Sequence, residues 1–199
     1  ADFGGGIGGK YLLEFLVKDS TISGNEAGGG GGIGLGFSSR LDVVNSTISG
    51  NEAEAGAGAF VYETFSTVNN STISGNTAEF AGGGVFSYSD CYCSDGKLTA
   101  RNSTIAGNSA GAAGGGIYQD NPSGYSHTLL LNTIAAQNTA PTGPNLYGDN
   151  ATEINAGFTL VNDPADVTIN EVTPGSNLIG VDPEHAHADL VRDRREAAE

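Results

Sequence analysis

Four side chains have the chemistry to move protons near one another: Glu63, Asp90, Asp120 and His127. Splitting a glycosidic bond needs two carboxylates, one protonated and one ionised, separated by about 5 Å for retention or roughly 6.5–9.5 Å for inversion. Cleaving a uronate by elimination needs a base together with cations such as Ca²⁺, and Lys97, Arg101 and His127 are the basic groups at hand. The carboxylates lie among the aromatic residues Phe60, Tyr62, Phe86, Tyr88 and Tyr118. Aromatic faces pack against sugar C–H surfaces, so these five are the candidate binding residues. Rings on adjacent strands also stack on one another for stability, and that reading stays open beside the first. The segment Ser89 to Gly96, with Asp90 and Asp95, interrupts the pattern and is where a functional loop would grow.

Other chemistries have thinner support. There is no Gly-x-Ser-x-Gly elbow, which excludes an α/β-hydrolase. Ser126 and His127 are adjacent in sequence and diverge on a strand, so an esterase-type hydrolase centred on His127 would need a hydroxyl from another coil. His185-x-His187 with Asp182, Glu184 and Asp189 has ligand types for Zn²⁺. Cys91-x-Cys93 lacks a second pair, and its redox state is not assigned. No cofactor is expected, although acidic loops could hold Ca²⁺.

What must position these groups is a repeat. Asp19-Ser-Thr-Ile-Ser-Gly-Asn25 recurs as Asn45 to Asn51 and Asn70 to Asn76, then as Asn102-Ser-Thr-Ile-Ala-Gly-Asn108. It decays at Thr133-Ile134-Ala-Ala-Gln-Asn138, read with one inserted residue. A glycine block follows at Gly30, Gly56, Gly82 and Gly114, and a third segment such as Leu41-Asp-Val-Val44 leads into the next Asn. Each repeat holds three short β-type segments with no room for a helix. None can bury its own apolar face, so the coils must stack, strand on strand in parallel. The Ile column points inward, glycines take the sharp corners, and the repeated Asn satisfies backbone groups that would otherwise be buried unpaired. Phe60, Phe86 and Tyr118 then form one outward column, with Tyr62, Tyr88 and Asp120 beside it.

The expected fold is all-β: a right-handed parallel β-helix of about six coils with three short strands each, spanning 1–183. Residues 184–199 have no glycine and form either a short helical cap or a disordered tail. The chain begins inside a repeat and lacks Met, which suggests a piece of something larger.

Composition bounds the partners. Of 199 residues 32 are Gly, and 23 Asp+Glu against 8 Lys+Arg give a formal charge of −15. Nucleic acid is excluded because phosphate contacts need clustered cations. No apolar run is long enough for a membrane helix. The acidity suits an extracellular or bacterial cell-surface protein.

The Asn-Ser-Thr-Ile-Ser-Gly-Asn and Gly-Gly-Gly-Ile pairing resembles the pectin-lyase-like β-helices of bacterial surface and secreted proteins. It is most similar to the repeats of polymorphic-outer-membrane-protein and choice-of-anchor types. Asn177-Leu-Ile-Gly180 before Asp182-Pro183 is similar to the segment closing such helices, although no further Gly/Pro-rich segment follows. The resemblance implies surface or adhesion modules. The expected function is therefore a module binding a polysaccharide or cell-surface glycan, or an adhesin-like scaffold, with end-to-end self-association through open coil ends. The alternative is a carbohydrate-active hydrolase or lyase using carboxylates on the aromatic face. A third is the His127 esterase, or an ice-binding protein presenting Thr21/Ser23, Thr47/Ser49, Thr72/Ser74, Thr104 and Thr133, a pattern that plain β-propensity also explains.

Overall fold

The computed structural model describes residues 3–11, 14–37, 40–90, 97–122, 127–149, 153–164 and 167–183. Cys91, Cys93, Asp95, Ser126 and the segment 184–199 with His185 and His187 lie outside the described residues.

Among the described residues every strand pairs in parallel with its counterpart in a neighbouring coil, building four sheets along one axis. The first sheet has six strands, from Ile7–Lys10 to Leu146–Gly148, and the second has seven, from Phe15–Lys18 to Ile169–Glu171. The third also has seven, from Thr21–Ser23 to Leu178–Ile179. The sequence pattern suggests three strands per coil, and the structure adds a short fourth sheet from Glu26–Gly29 to Ser109–Ala110. Its residues follow the Asn corner and read as a turn in sequence, because Glu, Ala and Gly carry little β-propensity. Stacking supplies the missing pairing: Glu26, Glu52 and Thr77 share one register.

Inward residues form one continuous core. Ile33, Leu41, Ile48, Ile73, Leu98, Ile105 and Ile117 are almost fully buried. The Asn column is a ladder inside the corner. The Asn51 amide donates to Asn76 Oδ1 at 2.9 Å, Asn76 to Asn108 at 2.9 Å, and Asn108 to Asn138 at 2.9 Å. The second amide hydrogen goes to a backbone carbonyl, as from Asn76 to Ile48 at 3.1 Å, so each buried amide is fully used. At the preceding corner, Asn45, Asn70, Asn102 and Asn132 adopt φ near +50°, a region Asn tolerates better than most residues. Glycine is obligatory at Gly83, where an added Cβ would lie 2.3 Å from the Ser109 carbonyl oxygen of the next coil.

One alignment needs correction. Ile134 matches by identity the Ile22, Ile48, Ile73 and Ile105 column, yet it pairs with Thr104, and Ala135 takes the core position. No residue is inserted: Asn138 follows Asn108 by 30 residues. Ile134 therefore faces out at 41% exposure, while Thr133 is buried and leaves the hydroxyl row. The corner outranks the side chain. Asn132 must hold positive φ, and Thr133 must take the inward place of Ser103, donating to the Ala100 and Leu131 carbonyls at 3.2 and 2.9 Å.

Candidate functional site

The outer face of the first sheet brings the aromatic candidates together. Strands Ala59–Tyr62, Val85–Tyr88 and Ile117–Asp120 pair without a bulge, aligning Phe60, Phe86 and Tyr118 in one column and Tyr62, Tyr88 and Asp120 in the next. Coil spacing of about 4.8 Å is also the spacing of stacked rings. Phe60 and Phe86 stack at 4.9 Å and 6°, Phe86 and Tyr118 at 4.8 Å and 8°, and Tyr118 and Tyr147 at 5.0 Å and 24°. Tyr62 and Tyr88 stack at 5.0 Å and 12°. Where the earlier coils have Gly34 and Gly36 at these positions, Phe3 and Phe37 lean in from outside the strand to meet Phe60 and Tyr62.

This packing decides what the face can do. A ring stacked above and below has both π-faces covered, so the inner rings offer edges and hydroxyls outward. The hydroxyls are organised: Tyr62 and Tyr88 both donate to Asp90 Oδ2 at 3.3 Å. Burial first, and then the Asp90 charge, raise both phenol pKa values. Burial, then Asp120 and Asp149, push Tyr118 up to about 12. These phenols are neutral donors at ordinary pH.

Glu63 is placed differently from the other carboxylates. It sits buried at the corner with φ +50°, and its Oε1 accepts the Asp90 N–H at 2.7 Å while Oε2 accepts the Ser89 hydroxyl at 3.2 Å. Its carboxylate holds the start of the 89–96 segment and so positions Asp90. Around it the interior turns polar, with Thr64, Ser66, Ser87, Ser89, Gln119, Asn121 and Thr128 all buried. Asp120 lies beside Tyr88, in register on the next strand.

His127 belongs to another sheet. It begins strand His127–Leu131 of the second sheet, in register with Lys97 on one side and Glu153 on the other. Its Nδ1 lies 3.6 Å from Glu153 Oε2, and among the described residues no hydroxyl bonds to it.

A family model for the right handed beta helix region matches residues 2–139. The chain belongs to the right-handed β-helix family. Comparison with curated proteins and with solved structures found no match.

Within this β-helix, the structure brings Tyr62, Tyr88, Asp90 and Asp120 to one rim, gives Glu63 a bracing role beneath it, and leaves His127 on the neighbouring face. Sequence reasoning missed Phe37, Tyr147 and Asp149, which continue the rim in neighbouring coils. The one available signal was the glycine block Gly143-Pro-Asn-Leu146, which repeats the earlier corners with φ +51° at Gly143. It also missed Arg40 and Phe65, which share a groove with Lys97 on the second sheet. A groove of about 580 Å³ on the fourth sheet is lined by four glutamates, Glu26, Glu52, Glu54 and Glu79. Among the described residues no group of three acidic, His or Cys side chains is arranged to hold a metal ion.

Proposed function

We propose that this β-helix, a repeat module of the kind found in surface and carbohydrate-related proteins, serves in a secreted or cell-surface protein. There it holds an extended glycan along the outer rim of the first sheet. The observation that carries the reading is the shared carboxylate: Tyr62 and Tyr88 hydroxyls meet at Asp90, on a column that continues to Asp120. With their protons given to Asp90, the phenol oxygens accept as the carboxylates do, which matches the donor hydroxyl groups of a sugar. The stacked rings behind them act as a rigid support, so contact is made through polar edges and not by stacking a sugar on a ring face. Asp90, Asp120 and Asp149 make the rim anionic, which favours neutral sugars over acidic ones.

The carbohydrate-active alternative has less support, because both oxygens of Glu63 already brace the loop. The deciding experiment is incubation of the whole chain with a panel of neutral and acidic glycans, scored for retention and for new reducing or unsaturated ends. Retention of a neutral glycan without new ends is expected, and it is lost on Asp90→Asn. A panel with no retained glycan overturns the binding reading, and new chain ends would restore the enzymatic one.

A further inference from the structure

One corner of the solenoid changes character along the axis. Between the second and third sheets the chain turns at Asp19, Asn45, Asn70, Asn102, Asn132 and Phe158, coil after coil, with φ between +48° and +54°. In the earlier coils the outward residues beside this turn are mostly polar, such as Asn69 and Arg101 before it and Thr47, Thr72 and Thr104 after it. In the last three coils the same positions are apolar. Leu131 and Val172 stand on the second-sheet side, Phe158 at the turn, and Ile134, Leu160 and Leu178 on the third-sheet side. Leu131 and Val172 close over Gly157, where an added Cβ would lie 3.2 Å from Leu131 Cδ2 and 3.5 Å from Val172 Cβ. Ile134, Leu160 and Leu178 share one register, so the six form a continuous patch.

The fold itself does not ask for Phe158. Asn tolerates positive φ, whereas a bulky side chain is strained there. The other aromatic residues at positive φ, Tyr11 and Phe37, stack on each other, and Phe37 also meets Tyr62. Phe158 has no ring contact among the described residues and stands 63% exposed, with Val172 at 54% and Ile134 at 41% beside it. Together the six side chains expose roughly 400 Å² of apolar surface, a patch of the size that marks an interface. A standard interface takes about 800 Å² from each partner, a little over half of it apolar, so the patch suffices for the apolar centre of one.

We infer that this corner is a homodimer interface and packs against the same corner of a second copy. Two copies of a −15 chain repel, so they meet best where charge is sparse, and none of the six positions is charged. The flanks carry opposite signs. Exposed Arg101, in register with Leu131, borders the patch toward the start of the chain, and exposed Glu171, next to Val172, borders it toward the end. The Glu171 carboxylate is held in place by the Gly175 N–H at 2.7 Å. A two-fold axis perpendicular to the solenoid axis brings Arg101 of each copy toward Glu171 of the partner subunit, whereas a parallel arrangement sets like charges together. The pair is therefore antiparallel. The first sheet takes no part in this corner, so the dimer keeps both tyrosine rims uncovered. The interface goes beyond the function proposed for the rim and does not depend on it.

The test is sedimentation velocity of the whole chain over a concentration series. A reversible monomer–dimer equilibrium in the micromolar range is expected. Phe158→Asn places at the corner the residue that the earlier coils use there, so the monomer should melt no lower than the wild type. The same variant should weaken dimerisation by about tenfold. Arg101→Glu should weaken it several-fold and Arg101→Lys should retain it. A chain that stays monomeric up to about 1 mM overturns the inference, because the patch then belongs to another occupant. Growth beyond the dimer overturns it as well, since that is coil ends stacking end to end. So does a dimer that Phe158→Asn leaves unchanged.

Discussion

Two neighbouring faces of the same solenoid use aromatic residues in opposite ways. On the first sheet, Phe60, Phe86, Tyr118 and Tyr147 stand in register and cover one another. On the second, Phe65 stands between Arg40 and Lys97 at 41% exposure, and among the described residues no ring stacks on it. The difference shows that an aromatic column in a β-solenoid is first a stabilising device. Uninterrupted register converts ring faces into internal contacts, and only an interrupted column leaves a face for a ligand.

The contrast breaks most easily at the rings themselves. Phe86→Ala removes two stacks and half-buried apolar area and should cost about 3 kcal/mol, whereas Phe65→Ala should cost about 1 kcal/mol. Urea unfolding of the two variants measures both, and equal losses would erase the distinction between the faces. Next in size is the brace under the tyrosine rim. Glu63→Ala strands the Asp90 N–H and the Ser89 hydroxyl and should cost about 2 kcal/mol. Amide exchange at Asp90 should accelerate in that variant, and an unchanged rate would mean that Glu63 does not position the rim.

Alkaline titration sharpens the contrast further. The folded pKa of Tyr118 is raised from 10.0 to about 12, and those of Tyr62 and Tyr88 are raised as well. A raised phenol pKa means that the fold favours the neutral form, so this contribution is complete below the unfolded value. It is lost as pH rises from 10.0 through about 12. Thermal melts should therefore fall over that window, and Tyr118→Phe should flatten part of the fall; a flat wild-type profile would contradict the burial of these phenols. The smallest effect on stability belongs to Tyr88→Phe, below about 1 kcal/mol because its partner Asp90 is exposed. That variant should nonetheless lose glycan retention at the rim.

Much of this was legible in the residues. The Ile22, Ile48, Ile73 and Ile105 column, the Asn corner ladder and the outward aromatic column follow from spacing, because each coil repeats one hydrogen-bonding problem. The register at 133–138 was misread because Ile134 matches by side-chain identity, while the structure aligns by backbone corner. The fourth sheet was missed because Glu26–Gly29 and its neighbours become strands only when stacked. The role of Glu63 was hidden for a related reason. A carboxylate near aromatic residues reads as chemistry until its partners, Ser89 and the Asp90 N–H, are known. Phe65 and Lys97 are separated by 32 residues, and no motif joins them.

By itself the sequence determined a parallel β-helix, its inward and outward faces, and the segregation of most charge from its core, because these depend on short periodic patterns. Only the tertiary structure decided which outward rings are spent on one another and which remain open, and which carboxylates are braces. Those outcomes depend on what the next coil places about 4.8 Å away, a distance that the stacking of coils alone establishes.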